Sequence, residues 1–252
     1  MNIQWDAEKY SADFSFVHRY GNTVMELLTA PEGASVLDLG CGNGALTAAL
    51  RERGYAARGL DGSASQLEIA RRDHPGIEFL QADATDFSLP EPVDAVFSNA
   101  VLHWIDRDLQ PKLLRCVHDA LKPGGEFVFE CGGFGNNRRI HAAMDRAFAD
   151  RGFRYSMPFC FPTIGEYAAL LECAGFRVEY AILFERPTPL KGESGMRDWI
   201  DMFLRTPFSV IADPAVQAEI KAAAVEQLRR ELYADGQWLA DYVRLRMRAV
   251  RL

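Results

Sequence analysis

The apolar positions change period several times along the chain. Phe14, Val17, Val24, Leu27 and Leu28 recur at helical spacing, and Pro31, Glu32 and Gly33 end the helix they predict. SVLDLG, Ser35 to Gly40, is a short apolar run closed by glycine and reads as a buried strand. Asn43 is placed to cap the next helix, whose one side carries Leu46, Ala49 and Leu50. The alternation continues with a strand ending at Asp61 and a capping box of Ser63 and Gln66 that starts a helix. Ile77 to Leu80 and Val93 to Asn99 read as strands. Asp106 is placed to cap a helix carrying Leu109, Leu113, Val117 and Leu121, and Pro123, Gly124 and Gly125 stop it. Glu126 to Glu130 reads as a fifth strand. Thr163 and Glu166 form a second capping box, for a helix ended by Gly175, and Arg177 to Phe184 reads as a strand.

Strands alternating with helices predict a parallel sheet covered on both faces. The tail differs. Met196, Trp199, Ile200, Phe203 and Leu204 have helical spacing, and Asp213 and Pro214 start a helix through Val216, Ile220 and Leu228. Then Tyr242, Arg244, Arg246 and Arg248 alternate with Val243, Leu245, Met247 and Ala249, a period-two strand with one wet face. Two helices are therefore expected as an insertion between the last two strands.

Composition narrows the function classes. The chain has 252 residues, 48% hydrophobic and 25% charged, so it can bury a sizeable core. A formal net charge of -7 disfavours binding to a phosphate backbone, and nucleic acid is not the expected partner. The five cysteines, Cys41, Cys116, Cys131, Cys160 and Cys173, contain no CxxC pair and read as reduced thiols. No apolar run reaches membrane-span length. MNIQWDAEKY lacks the basic-then-apolar order of a secretion signal, so a cytoplasmic location and no membrane partner are expected. The histidines His18, His74, His103, His118 and His141 form no spaced cluster with acids or cysteines, so no metal is expected.

The chemistry concentrates in DLGCGNG, Asp38 to Gly44, where Gly40, Gly42 and Gly44 occupy a strand-to-helix turn. Glycines there let the backbone approach a ligand closely. In an open α/β sheet, ligands bind at the carboxyl ends of the strands. Asp61 ends the next strand and can accept hydrogen bonds from two ribose hydroxyls. Asp83, one strand later, can accept one from an exocyclic amine, with Ala84 beside the ring. Asp61 and Asp83 can also be read as helix-capping or turn residues. GCGNGA fits a dinucleotide fingerprint as well. Against that reading, Asp38 would repel a pyrophosphate but welcome a sulfonium with its ammonium group, and Asp83 has no part in dinucleotide binding.

VLDLGCGNG, GLDGS, QADA, VDAVFSNAVLHW and LKPGGEFVFE resemble, in order, the motifs of class I S-adenosylmethionine-dependent methyltransferases, over residues 34–131. The resemblance implies a Rossmann-like, doubly wound α/β sheet of seven strands with the last antiparallel. With it comes a single methyltransferase domain over 1–252, with helical cap elements at 1–30, 132–162 and 190–235. It implies S-adenosyl-L-methionine as cofactor, held by Asp38, Gly40, Cys41, Gly42 and Gly44, by Asp61, Gly62 and Gln66, and by Asp83 and Ala84. Asn99, Ala100 and Trp104 would complete the wall. SNAVLHW, Ser98 to Trp104, resembles the trans-aconitate, malonyl-acyl-carrier-protein and juvenile-hormone-acid branches. Trp5 and Tyr10 resemble the first of these, in which an N-terminal helix folds over the cofactor.

The expected reaction is methyl transfer to a small molecule, at a carboxylate or hydroxyl oxygen. A carboxylate needs no general base. A hydroxyl needs one, and His103 is then either that base or a packed histidine beside the cofactor. His18 is a second candidate. Arg138 and Arg139 can clamp a substrate carboxylate or begin a solvated helix. Tyr155, Phe159, Phe161, Trp199 and Phe203 can form an apolar lid, or Trp199 and Phe203 can simply anchor the inserted helices. The Asn/Asp-Pro-Pro-aromatic signature of base-amino methylation is absent. The rival readings are a tRNA methyltransferase on the same fold and a non-catalytic S-adenosylmethionine-binding protein. Monomer and homodimer both remain open.

Overall fold

The computed structural model describes residues 16–252. Helix α1 (Phe16–Met25) leads into β1 (Ser35–Leu39), α2 (Ala45–Glu52), β2 (Ala56–Asp61), α3 (Ala64–Asp73), β3 (Phe79–Gln81) and β4 (Val93–Asn99). Two short 3-10 turns precede α4 (Gln110–Ala120), followed by β5 (Leu121–Gly132), α5 (Arg138–Ala149), α6 (Ile164–Cys173) and β6 (Phe176–Leu190). Then come α7 (Gly195–Phe203), α8 (Arg205–Phe208), α9 (Pro214–Leu232), β7 (Tyr233–Ala234) and β8 (Gln237–Arg251). Three helices therefore separate β6 from β8, one more than the spacing predicts, because Leu204 breaks the first into α7 and α8.

The sheet order is β3-β2-β1-β4-β5-β8-β6. Strands β1 to β5 pair in parallel, and β8 runs antiparallel to both β5 and β6. This is the expected doubly wound α/β sheet with its last strand antiparallel. The two-residue β7 adds a small hairpin, turned by Asp235 (φ 52°) and Gly236 (φ 77°). Successive strand residues feed opposite cores. Val36, Ala95, Phe97 and Val128 pack under α1 and α2, while Leu37, Leu39, Val96, Phe127 and Phe129 pack under α4 and α6. A further core joins α5, α7, α8 and α9 to the ends of β6 and β8 around Phe148, Trp199 and Trp238.

The capping boxes at Ser63 and Thr163 differ in completeness. Thr163 and Glu166 bond reciprocally, whereas for Ser63 the bond is from the Gln66 amide to its hydroxyl, at 3.4 Å. Two other caps are corrected. Gly44, in the left-handed region, caps α2, and the Asn43 side chain accepts from the Ala45 amide at 3.3 Å. Asp106 makes no side-chain cap bond. A 3-10 turn intervenes, and α4 starts at Gln110 beside Pro111. Helix α4 also ends at Ala120, before Pro123. The Pro-Gly-Gly segment instead lies in a bulge of β5, where the register jumps from Val93↔Leu121 to Ala95↔Glu126.

The supposed wet face of β8 is not wet. Because β8 lies inside the sheet, Arg244, Arg246 and Arg248 are covered, and two of them are paired. Glu130, 2% exposed, takes Arg186 through both oxygens at 2.5 and 2.8 Å, and takes Arg246 at 2.7 and 2.9 Å. Arg248 bonds Glu179 at 2.8 Å. Arg246 also holds the Thr23 hydroxyl and carbonyl, tying α1 to the sheet. Glu126 accepts the Thr29 and Ala30 amides, each at 2.8 Å.

Removing one member of a buried ion network leaves the others charged without a partner, at a cost of about 3 kcal/mol or more. Glu130→Gln should lose about that much in urea unfolding. A change within error of wild type would show that the network adds nothing to stability.

Candidate active site

The carboxyl ends of β1, β2 and β4 open on a cavity of about 490 Å³, a size suited to a nucleoside-sized ligand. Gly40 and Gly42 form one wall, with φ of 76° and 53°. A Cβ on Gly40 would meet Val101 at 2.2 Å, so the loop after β4 closes over β1 only with glycine there. At Gly42 a Cβ would project into the cavity, with only Gln66 Oε1 within 4 Å, at 3.8 Å.

Asp61 is held at the cavity edge by two amides. Gly42 donates to one oxygen at 2.9 Å and Ser63 to the other at 2.8 Å. Burial pushes its carboxyl above the usual range, and those two hydrogen bonds oppose the shift. Asp83 lines the same cavity. The Thr85 amide and hydroxyl, at 2.8 and 2.7 Å, hold it below the usual range. Gly62, Gln66, Ala84, Asn99, Ala100 and Trp104 also line it. Asp38, Cys41 and Gly44 do not. Asp38 lies under the loop, 1% exposed, taking the Thr47 hydroxyl at 2.7 Å. Burial pushes its carboxyl up to about 7, and the Asp61 charge adds to this. Cys41 packs with Phe79 beneath α3, and Gly44 abuts the same ring. Trp5, Tyr10 and the side chain of His18 lie outside the described residues.

Ala100 stands in the left-handed region at φ 62°, its amide on the Glu130 carbonyl at 2.8 Å. It and Trp104 also line a second, smaller chamber of about 40 Å³. Trp199 and Phe203 line that chamber, as do Phe159 and Phe161. Trp104 meets Phe159 edge-on at 4.7 Å, and Trp199 donates to the Tyr242 hydroxyl at 2.7 Å. Tyr155 sits behind, bonded to His141 at 2.7 Å.

His103 faces the chamber with a fixed tautomer. The Gly132 amide donates to its Nδ1 at 3.1 Å, so the neutral ring carries its proton on Nε2. Burial, then the charge of Arg244, holds the imidazole well below its ordinary pKa. Its lone pair is spent, and what it offers the chamber is a donor. The general-base role considered for it does not fit this geometry. The loop that carries it is clamped by buried Gln110, whose amide donates to the Leu102 and Ile105 carbonyls at 2.9 and 2.8 Å.

Arg138 and Arg139 line neither cavity. They are exposed on the first turn of α5, where the Arg139 amide donates to Asp241 at 2.8 Å. The cation in the chamber is Arg244, joined by Asn136 and Asn137. No local signal marks Arg244, since only the placement of β8 beside β5 brings it to the chamber.

Crossing glycine loop, acid-ended strands and reversed last strand define a nucleotide-type site on a methyltransferase fold. The family model described as "Methyltransferase domain" matches residues 36–125. An uncharacterized methyltransferase, C70.08c, of Schizosaccharomyces pombe is 32% identical over 96% of each chain. The trans-aconitate 2-methyltransferase of Methylobacterium nodulans is 31% identical, also over 96% of each. Among solved structures, a Bacillus halodurans protein superposes with TM-score 0.63 at 17% identity, covering 92% of this chain and 98% of its own. An S-adenosylmethionine-dependent methyltransferase of Mesorhizobium loti gives 0.54 at 22% identity, covering 91% and 96%. The chain belongs to the class I S-adenosylmethionine-dependent methyltransferases, and it is an enzyme using S-adenosylmethionine.

The cavity fits that cofactor. Three carboxylates, Asp61, Asp83 and Asp106, line it and, among the described lining residues, no lysine or arginine does, which favours a cationic ligand over a pyrophosphate. Asp61 and Asp83 stand at its edge and the Gly40–Gly42 backbone forms one wall, the positions from which the expected contacts to ribose hydroxyls, adenine amine and amino-acid end would be made. Calorimetry with S-adenosylhomocysteine should find Asp61→Ala roughly 100-fold weaker or worse, from two lost bonds to a charged acceptor. Wild-type affinity in that variant would move the ribose site elsewhere.

Proposed function

We propose that the enzyme transfers the methyl group to a carboxylate oxygen of a small-molecule acid. The observation behind this is that, among the described residues lining the chamber beside Ala100, none is placed to act as a base. His103 presents a proton, and among the described lining residues there is no Asp, Glu or Lys. An acceptor must then bring a nucleophile that is already ionised, which a carboxylate does and a hydroxyl does not. A relative named trans-aconitate 2-methyltransferase, aligned over 96% of both chains, supports the reading.

Bound in the larger cavity, S-adenosylmethionine supplies a methyl group already activated on sulfur. A carboxylate lone pair forms the new oxygen–carbon bond as the carbon–sulfur bond breaks, giving a methyl ester and S-adenosylhomocysteine with no proton transferred. The chain's part is alignment and exclusion of water, worth on the order of 7 to 11 kcal/mol in well-oriented reactions. Ala100 and Trp104, shared by the two cavities, set that alignment. The helical layer of α5, α7, α8 and α9 acts as the cap that keeps the chamber dry.

With an acceptor pKa of about 4, kcat/KM for the acid at saturating S-adenosylmethionine should stay level from about pH 6 to about pH 9. A steady rise with pH would point to a hydroxyl or amine acceptor. His103→Gln, which keeps a donor and removes the imidazole, should cost less than about tenfold in kcat, whereas loss of a general base costs about 100-fold or more.

A further inference from the structure

We propose that Arg244 anchors the acceptor by binding an anionic group, a carboxylate, other than the oxygen that receives the methyl. The proposal rests on the carboxylate reading of the acceptor and adds the residue that selects it.

Arg244 is 7% exposed in the middle of β8, opposite Gly132 of β5 and Phe184 of β6. Its neighbours on the same sheet face are satisfied, since Glu130 takes both Arg186 and Arg246. Arg244 has no such partner. Among the described residues no carboxylate or carbonyl takes a hydrogen bond from its guanidinium, and its buried Nε is orphaned. The group only stacks on the Tyr242 ring, at 4.5 Å, a ring fixed in turn by the Trp199 bond to its hydroxyl. Buried cations are paired or bind a ligand, because an unpaired one costs several kcal/mol in lost hydration.

The surroundings suit an anion. His103 offers its Nε2 proton. Asn136 has its Oδ1 occupied by the Val243 amide at 2.9 Å, which leaves its NH₂ as a donor. Arg244, His103 and Asn136 line the chamber beside Asn137, whose buried Oδ1 has no partner, and this one cation with two neutral donors suits a carboxylate. Arg244 lines this chamber and not the cofactor cavity, which sets it apart from the methyl donor. A carboxylate gripped by a guanidinium has its lone pairs engaged and is a poor nucleophile. The anchored group and the methylated group are therefore different.

The test compares wild type, Arg244→Lys and Arg244→Met for methyl transfer to trans-aconitate, succinate and butyrate. Calorimetry with S-adenosylhomocysteine shows that each variant is folded with its cofactor site intact. Wild type should prefer the two polyacids over butyrate by roughly 100-fold in kcat/KM, the scale of losing a buried charge-assisted pair. In Arg244→Met that preference should collapse toward one, through KM more than kcat. Arg244→Lys should fall between, keeping the charge without the two-pronged geometry. A variant that binds S-adenosylhomocysteine normally and retains the wild-type KM for the polyacids overturns the anchor alone. A wild type that methylates a neutral alcohol and none of the acids overturns the carboxylate reading, and the anchor with it.

Discussion

Glu130 is the carboxylate on which three strands converge. It lies near the end of β5, is almost fully buried, and binds Arg186 of β6 and Arg246 of β8 with charge-assisted hydrogen bonds. Its backbone carbonyl also takes the amide of Ala100, the strained residue at the junction of the two cavities. One residue thus couples the antiparallel end of the sheet to the turn where the two cavities meet. Two residues on, the Gly132 amide sets the tautomer of His103, and Arg244 pairs opposite it in the sheet.

The site divides its charge accordingly. The parallel half of the sheet ends in acids, Asp61 and Asp83, around the larger cavity. The antiparallel half delivers a cation, Arg244, to the smaller one. Under the proposed function, a sulfonium and a carboxylate would each be drawn to the side of opposite sign and meet at Ala100 and Trp104, which line both cavities. Catalysis in this arrangement is orientation, and the side chains are committed to holding shape: Gln110 clamps the loop carrying His103, and Gly42 and Ser63 clamp Asp61.

Much of this was legible in the chain. The glycine turn after β1, the acids ending β2 and following β3, and the alternation of strand and helix are local patterns with one physical reading. So are the Thr163 capping box and the Asp213–Pro214 helix start, since each needs only neighbours within one turn. The family's motifs follow the same order, which is why the donor could be read from the sequence. Asp38 shows the limit: its place at the end of β1 was right, but the fold turns it beneath the loop onto Thr47.

What the sequence by itself determined was the order of elements, the acid-ended strands and the cofactor class, because those depend on contacts between residues close in the chain. The tertiary structure alone decided what the arginines of β8 do. Their alternation with apolar residues is the same for a solvated edge strand and for an inner one. Only the insertion of β8 between β5 and β6, more than a hundred residues from Glu130, makes one arginine a structural partner and leaves the next facing the chamber. His103 was undecided for the same reason. Whether its ring gives or takes a proton depends on an amide 29 residues away that only the folded chain brings to it.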